Sequence, residues 1–112
     1  MQEITTRWFS RVNRDAPLSE YPRPQFVRKD WICLNGLFDY AVTRDIVDFP
    51  VEYDGKIVVP FAIESKLSGV QRPLTPDERL WYRTFFSLDE RFDNKRVLLH
   101  FGAVDWQCEV YI

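Results

Sequence analysis

Pairs of neighbouring acidic residues are the first features of this sequence that could carry chemistry. Glycoside hydrolysis needs two carboxyl groups roughly 5–10 Å apart across a sugar cleft, one giving a proton and the other acting as nucleophile or base. All the pairs fall in predicted turns or loops, where solvated acids are the normal finding. Sequence spacing places none of them across a cleft, so surface acids are the competing interpretation. The pairs are Asp45/Asp48, Glu52/Asp54, Asp77/Glu78 and Asp89/Glu90.

Histidine and cysteine are too scarce for most metal or nucleophile chemistry. His100 is the only histidine, which excludes a metal site built on two histidines. Cys33 and Cys108 lack CxxC spacing and are too few for a disulfide scaffold. We expect free thiols rather than a disulfide, a structural or surface role for His100, and no metal or other cofactor. A Cys–His nucleophilic pair stays open in principle, although nothing in the sequence links the two residue types.

Motifs, charge and hydropathy exclude further classes of function. The sequence has no GxGxxG, GxxxxGK[ST], GxSxG or HExxH motif. Lys+Arg 15 against Asp+Glu 17 gives a net charge of −2, which argues against a nucleic-acid partner. No apolar run approaches the ~20 residues of a membrane span, so no membrane partner is expected. Because an acidic residue and no apolar segment follow Met1-Gln2, we expect no signal peptide in this chain, and a leader removed before Gln2 stays open.

The elements that would position these residues are predicted to be strands. Residues 1–29 are polar and rich in proline, and we expect an extended lead-in segment there that lies across other structure. Residues 30–112 alternate apolar and polar side chains with a period of two and show almost no helical periodicity. Asn35-Gly36 is the strongest turn signal. The predicted strands cover residues 31–34, 38–43, 57–59, 79–87, 96–101 and 106–112.

This pattern predicts an all-β fold, an antiparallel sandwich or jelly roll. One connection, residues 61–78, is longer than usual, and long loops on rigid sheets often carry function. Residues 110–112 still have a strand pattern, so we expect an incomplete sandwich with exposed sheet edges. Such an edge could pair with a second copy and give a homodimer. The aromatic content of 16% fits a β-sandwich core better than a sugar-stacking platform. The sugar-stacking platform remains as an alternative interpretation.

Several stretches occur in a fixed order along the chain, among them TTRW (residues 5–8), YPRPQ (21–25) and LNGLFDYA (34–41). Together these stretches resemble the amino-terminal sugar-binding domain of glycoside hydrolase family 2, which includes β-galactosidases and β-glucuronidases. The resemblance covers nearly the whole chain. Phe38 departs from it, since the family more often has Trp at that position. The matching stretches are residues 5–8, 21–25, 30–31, 34–41, 59–61, 64–69 (ESKLSG), 80–85 (LWYRTF) and 97–110.

The resemblance implies a jelly-roll β-sandwich like that of galactose-binding domains, followed in the parent enzyme by an immunoglobulin-like domain and a TIM barrel. Two glutamates in the barrel carry out the retaining reaction, so this chain would hold no catalytic residue. In the family, a loop before the Trp-Tyr-Arg strand brings a polar side chain to the sugar pocket. Here that loop is residues 65–79, and its matching positions are Asp77 and Glu78, with Arg72 a weaker candidate.

The leading functional interpretation is a non-catalytic accessory domain of such a glycosidase, inactive alone, with carbohydrate and the remaining domains of the enzyme as partners. A free-standing carbohydrate-binding module is the alternative, and a protein-interaction domain without sugar chemistry is the third. Relatives with these opening motifs look like exported enzymes, so the resemblance implies a periplasmic or secreted parent.

Overall fold

The computed structural model describes residues 5–44 and 49–112. Its strands are β1 (Gly36–Arg44), β2 (Gly55–Val59) and β3 (Glu78–Arg83), which form one antiparallel sheet in the order β2-β1-β3. Short 3-10 helices occur at Phe9–Arg11, Pro24–Phe26, Lys66–Ser68 and Glu90–Phe92. No helix among the described residues has the length and apolar character needed to cross a membrane.

Strand β1 is the centre of the sheet and pairs along both of its edges. Its first half faces β2, with Phe38 opposite Ile57, and its second half faces β3, with Tyr40 opposite Tyr82. β-branched and aromatic residues at these positions favour the extended backbone. Strand β2 ends at Val59 because the next residue is Pro60, which has no backbone N–H for a ladder hydrogen bond.

The register gives the sheet one apolar face and one mixed face, since directly paired residues lie on the same side. The mixed face carries the ion pairs of Asp39 with Lys56 and Arg83 and the hydrogen bond from Trp81 Nε1 to Thr43 Oγ1 (2.8 Å). The apolar face includes an edge-to-face contact of Phe38 with Tyr82. That face carries Phe38, Tyr40, Val42, Ile57, Leu80 and Tyr82.

The apolar core is small for a chain of this length. Among the described residues, the buried apolar side chains are Pro17, Ala41, Ile57, Val58 and Ile63. The radius of gyration is 16.0 Å, whereas a compact domain of about 100 residues has a value near 13 Å. Large apolar side chains stay exposed, among them Phe85 and Trp106. The sheet is therefore open, and much of the apolar surface of the described residues is exposed to solvent.

The prediction of an all-β antiparallel fold is confirmed, but several predicted elements differ. Residues 31–34, 96–101 and 106–112 form no strand, because none of them pairs with a neighbour in the described structure. Strand β3 ends at Arg83, four residues before the predicted end. The prediction of a turn at Asn35-Gly36 is also wrong, since Gly36 is the first residue of β1.

The lead-in segment docks against the start of β1. Pro17 is fully buried, and its carbonyl accepts a hydrogen bond from Asn35 Nδ2 (3.1 Å). Gly36 has φ +149°, and a Cβ there would lie 2.7 Å from the carbonyl oxygen of Asp15. Farther along, Pro24–Phe26 forms a 3-10 turn where an extended backbone is predicted. Close backbone approach thus explains why a glycine stands at residue 36.

Replacing Gly36 by alanine tests this docking. The new Cβ collides with a backbone carbonyl at a φ that L residues rarely adopt, so Gly36→Ala should lower the free energy of unfolding by roughly 1–3 kcal/mol. Urea denaturation followed by circular dichroism measures the change.

Gly102→Ala is the matched control, because a Cβ at Gly102 meets no atom within 4 Å. We expect it to change the free energy of unfolding by less than about 0.5 kcal/mol. Equal effects of the two substitutions would show that the lead-in does not dock as described.

Candidate functional site

A cluster of charged and polar side chains forms where the long loop meets the sheet. We call it the Glu78 cluster; it contains Arg44, Arg72, Thr75, Asp77 and Glu78. The sheet register places Arg44 directly opposite Glu78, and the loop before β3 brings the other three residues to the same end. The structure therefore brings together the three residues predicted from the resemblance, Arg72, Asp77 and Glu78.

Glu78 is the centre of this cluster, with a side chain only 3% exposed. Its Oε1 accepts hydrogen bonds from Arg72 Nη2 (2.6 Å) and Arg44 Nη2 (3.3 Å). Its Oε2 accepts one from the backbone N–H of Thr75 (3.0 Å). Both carboxylate oxygens are engaged, so Glu78 acts as the anchor of the loop in this arrangement.

These contacts shift two acids in the same direction. The backbone N–H of Thr75, followed by Arg72 and Arg44, lowers the pKa of Glu78 against the opposing effect of desolvation. The hydroxyl of Thr75, which bonds Asp77 Oδ1 at 2.5 Å, is the largest cause that lowers the pKa of Asp77. Both groups are thus held as carboxylates, which can accept but not donate hydrogen bonds at neutral pH.

Arg72 and Asp77 present the parts of the cluster that face outward. The Asp77 side chain is 62% exposed, and its Oδ2 lies 3.5 Å from Arg44 Nε. The Arg72 side chain is 42% exposed, yet its Nη1 atom is buried and has no hydrogen-bond partner in the described structure. An acceptor at this atom would complete the cluster. A sugar-binding role for Arg72, Asp77 and Glu78 stays a prediction.

The ESKLSG stretch folds into a compact loop directly after β2. Ser65 Oγ donates to the carbonyl of Ala62 (2.7 Å) and accepts from the backbone N–H of Ser68 (3.2 Å), which caps the 3-10 helix. Ser68 is fully buried, and its hydroxyl lies 3.0 Å from the carbonyl of Ile63 and 3.1 Å from the backbone N–H of Val70. Serine at residues 65 and 68 thus has a structural use here.

A second ionic group lies on the mixed face of the sheet. Asp39 binds Lys56 Nζ at 2.5 Å and Arg83 Nη2 at 3.0 Å, and Lys56 and then Arg83 lower the pKa of the Asp39 carboxyl. The Arg83 guanidinium also lies 3.9 Å from the centroid of the Tyr53 ring. Its charge partners and aromatic contact satisfy this group internally, so it offers little to a ligand.

The other candidate acids do not form a catalytic pair in the described structure. Asp89 binds its neighbour Arg91, and Asp54 accepts a hydrogen bond from the backbone N–H of Val42 (2.8 Å). Asp45 and Asp48 lie outside the described residues.

The single histidine and the two cysteines stand apart from any site. His100 is exposed, and Cys33 and Cys108 are free thiols, as predicted. The described residues hold no group of three or more His, Cys, Asp or Glu side chains placed to bind a metal.

Two members of the Glu78 cluster were not predicted. Thr75 has a sequence signal, because Thr-x-x-Glu is the spacing of a capping box in which the glutamate reaches back to the threonine N–H. The signal is easily overlooked here because a strand follows instead of a helix. Arg44 has no such signal, since its contact depends on the pairing register of β1 with β3.

Glu78→Gln should change how stability depends on pH. Because the pKa of Glu78 is lowered from its usual 4.5 by folding, its stabilising contribution is full above that value and is lost as the pH falls through the folded-state pKa. The Glu78→Gln variant should therefore melt at a lower temperature than the wild type at neutral pH, and the difference should narrow as the pH falls below 4.5 and through the folded-state pKa of Glu78.

Glu52→Gln is the control, since Glu52 is exposed and forms no ion pair with a described residue. Its melting curve should follow the wild type throughout. A Glu78→Gln curve that stays parallel to the wild type at all pH values would contradict the role given to Glu78.

Ser68→Ala should destabilise the loop after β2. It removes a buried hydroxyl and leaves the N–H of Val70 without its acceptor, which costs roughly 1–3 kcal/mol. Chemical denaturation measures this, with Ser87→Ala as an exposed control expected to remain at the wild-type value. Equal stability of the two variants would mean that the hydroxyl of Ser68 is dispensable.

No family model matches the chain, and no curated protein matches it either.

Proposed function

We propose that this chain is part of the amino-terminal sugar-binding domain of a family 2 glycosidase and has an accessory rather than a catalytic role. The observation that carries the proposal is the placement of the resembling stretches. Residues 36–41 lie in β1, residues 80–83 lie in the adjacent β3, and the ESKLSG loop follows β2. Stretches far apart in sequence thus meet on one antiparallel sheet.

The proposed complete fold is a two-layer jelly roll, of which the three-stranded sheet forms part of one layer. The open sheet and its exposed apolar side chains support this, because such surface is normally buried against another layer. Phe86, Leu98 and Phe101 are examples in the segment after β3. In this proposal they pack against further strands of the same domain.

The reaction itself is assigned to a TIM barrel in the parent enzyme, where two glutamates would act as acid/base and nucleophile. The Glu78 cluster would form part of the wall that faces the sugar pocket. The side chains of Asp77 and Arg72 are partly exposed and carry polar groups of the kind that bind sugar hydroxyls. A periplasmic or secreted location belongs to the same proposal.

A free-standing carbohydrate-binding module remains the second candidate, because Trp106 is 88% exposed and Phe85 is 82% exposed. Exposed aromatic rings are the groups on which sugar rings stack. The two candidates make different predictions about the gene. An accessory domain requires a catalytic barrel in the parent enzyme, whereas a free-standing module does not.

The complete transcript that encodes this chain distinguishes these candidates. The proposal expects further strands of the sandwich and a barrel with two paired glutamates in the same protein or in an associated one. The accessory-domain proposal would be rejected if the transcript encodes no glycosidase barrel and no associated protein contains one.

The isolated chain should hydrolyse none of a panel of nitrophenyl galactoside, glucuronide and mannoside. We expect release of nitrophenol at the rate of buffer alone, because the reaction is assigned to glutamates of the barrel. Turnover that co-purifies with this chain and persists in independent preparations would contradict the accessory role.

A further inference from the structure

A cavity of about 400 Å³ lies between the lead-in segment and the turn after β2. None of its lining residues belongs to the Glu78 cluster. Its volume lies within the range of roughly 300–1,000 Å³ that is usual for small-molecule sites. Its lining includes Trp8, Arg11, Asn13, Pro17, Glu20 and Phe61. We call it the Trp8 cavity.

The apolar part of the lining combines two aromatic side chains, Trp8 and Phe61, with the aliphatic residues Val12, Ala16, Pro17 and Leu18. Trp8 is 53% exposed, so part of its indole can still be covered by a ligand, and Phe61 is half-buried. The guanidinium of Arg11 lies 5.2 Å from the centroid of the Trp8 ring. A hydrogen-bond donor therefore stands directly beside an aromatic surface.

The polar lining residues can both donate and accept hydrogen bonds. The Oδ1 atom of Asn13 accepts from the backbone N–H of Asp15 (3.0 Å), which leaves the amide NH₂ as a donor. Glu20 and Arg11 form no ion pair with any described residue, so a carboxylate and a guanidinium are available. Because their charges are opposite, the cavity favours a neutral ligand with many hydroxyls over a charged one.

The part of the cavity wall at Pro17 and Leu18 is bound by the residue that precedes β1. The carbonyl of Pro17 is bound by Asn35, and the next residue, Leu18, has φ +50°. A leucine in the left-handed region is uncommon and persists only when its surroundings hold it there. The rim of the cavity is thus a fixed, strained turn and not a loose coil.

From these features we propose that the Trp8 cavity binds one saccharide ring, with an apolar face of the sugar against Trp8 and its hydroxyls bonded to Arg11, Asn13 and Glu20. The choice of a sugar over other neutral polyhydroxyl ligands rests on the proposed function. The site lies in the lead-in segment, outside the loop of residues 65–79 to which the resemblance assigns sugar contact.

Isothermal titration calorimetry of the intact chain with methyl galactoside, methyl mannoside and glucuronate tests the proposal. We expect millimolar binding of at least one neutral glycoside and weaker binding of glucuronate. Trp8→Ala should weaken the binding of that glycoside by roughly tenfold or more. Phe26→Ala is the control, because Phe26 is an exposed aromatic residue of the lead-in segment that does not line the cavity, and it should bind as the wild type does.

The Glu20→Gln variant is a second test in case Trp8→Ala misfolds, because Glu20 is exposed and has no ion-pair partner among residues 5–44 and 49–112. It should retain the wild-type melting temperature and bind the glycoside severalfold more weakly. Binding that is unchanged in both Trp8→Ala and Glu20→Gln, or no binding by the wild type, would overturn the Trp8 cavity as a sugar site. The accessory role would survive either result, because the transcript and the turnover assay test it separately.

Discussion

The pairing of β1 with a strand on each side is the interaction on which the rest of the described structure depends. It fixes the register that sets Arg44 opposite Glu78 and brings Asp39 to Lys56 and Arg83. A slip of β1 by one residue would move Arg44 and Asp39 to the other face of the sheet, away from these partners. The contact of Arg44 with the rest of the Glu78 cluster therefore depends on this register, whereas Arg72 and Thr75 bind Glu78 within the loop.

The lead-in segment depends on the same strand in a different way. Its contact with the sheet is made through backbone atoms, with the carbonyl of Asp15 close to Gly36 and that of Pro17 bound by Asn35. Few apolar side chains are buried between them. The position of the Trp8 cavity thus follows from a close approach of two backbones at the first residue of β1.

Much of the sheet was predictable from local pattern. The alternation of Phe38, Tyr40 and Val42 predicts a strand with one apolar face, and β-branched residues before Pro60 predict β2. The same alternation in residues 106–112 does not form a strand, because a strand also needs a partner with free backbone groups. The alternation of apolar and polar residues thus predicts which segments can be extended, but a segment becomes a strand only where a neighbouring strand offers free backbone groups.

The sites were less predictable because they depend on residues distant in sequence. Arg44 reaches Glu78 across 34 positions, and Phe61 lines the same cavity as Trp8. The Gly36 prediction failed for a related reason: its positive φ is needed for contact with Asp15, not for a local turn. Arg72, Asp77 and Glu78, to which the resemblance assigns sugar contact, lie next to one another in the structure, but the resemblance indicates neither Arg44 nor Thr75 as their partners.

The open sheet has a consequence for how this protein meets other chains. Strands β2 and β3 each have one edge without a neighbouring strand in the described residues, and both carry basic side chains, Lys56 on one and Arg79 on the other. Lys56 is already bound to Asp39, whereas Arg79 forms no ion pair with a described residue, so two copies that pair through β3 would bring unneutralised Arg79 charges together, which discourages uncontrolled stacking into fibrils. An incoming strand with an acidic residue opposite Arg79 would be attracted instead, so charge at this edge favours an acidic strand over a second copy.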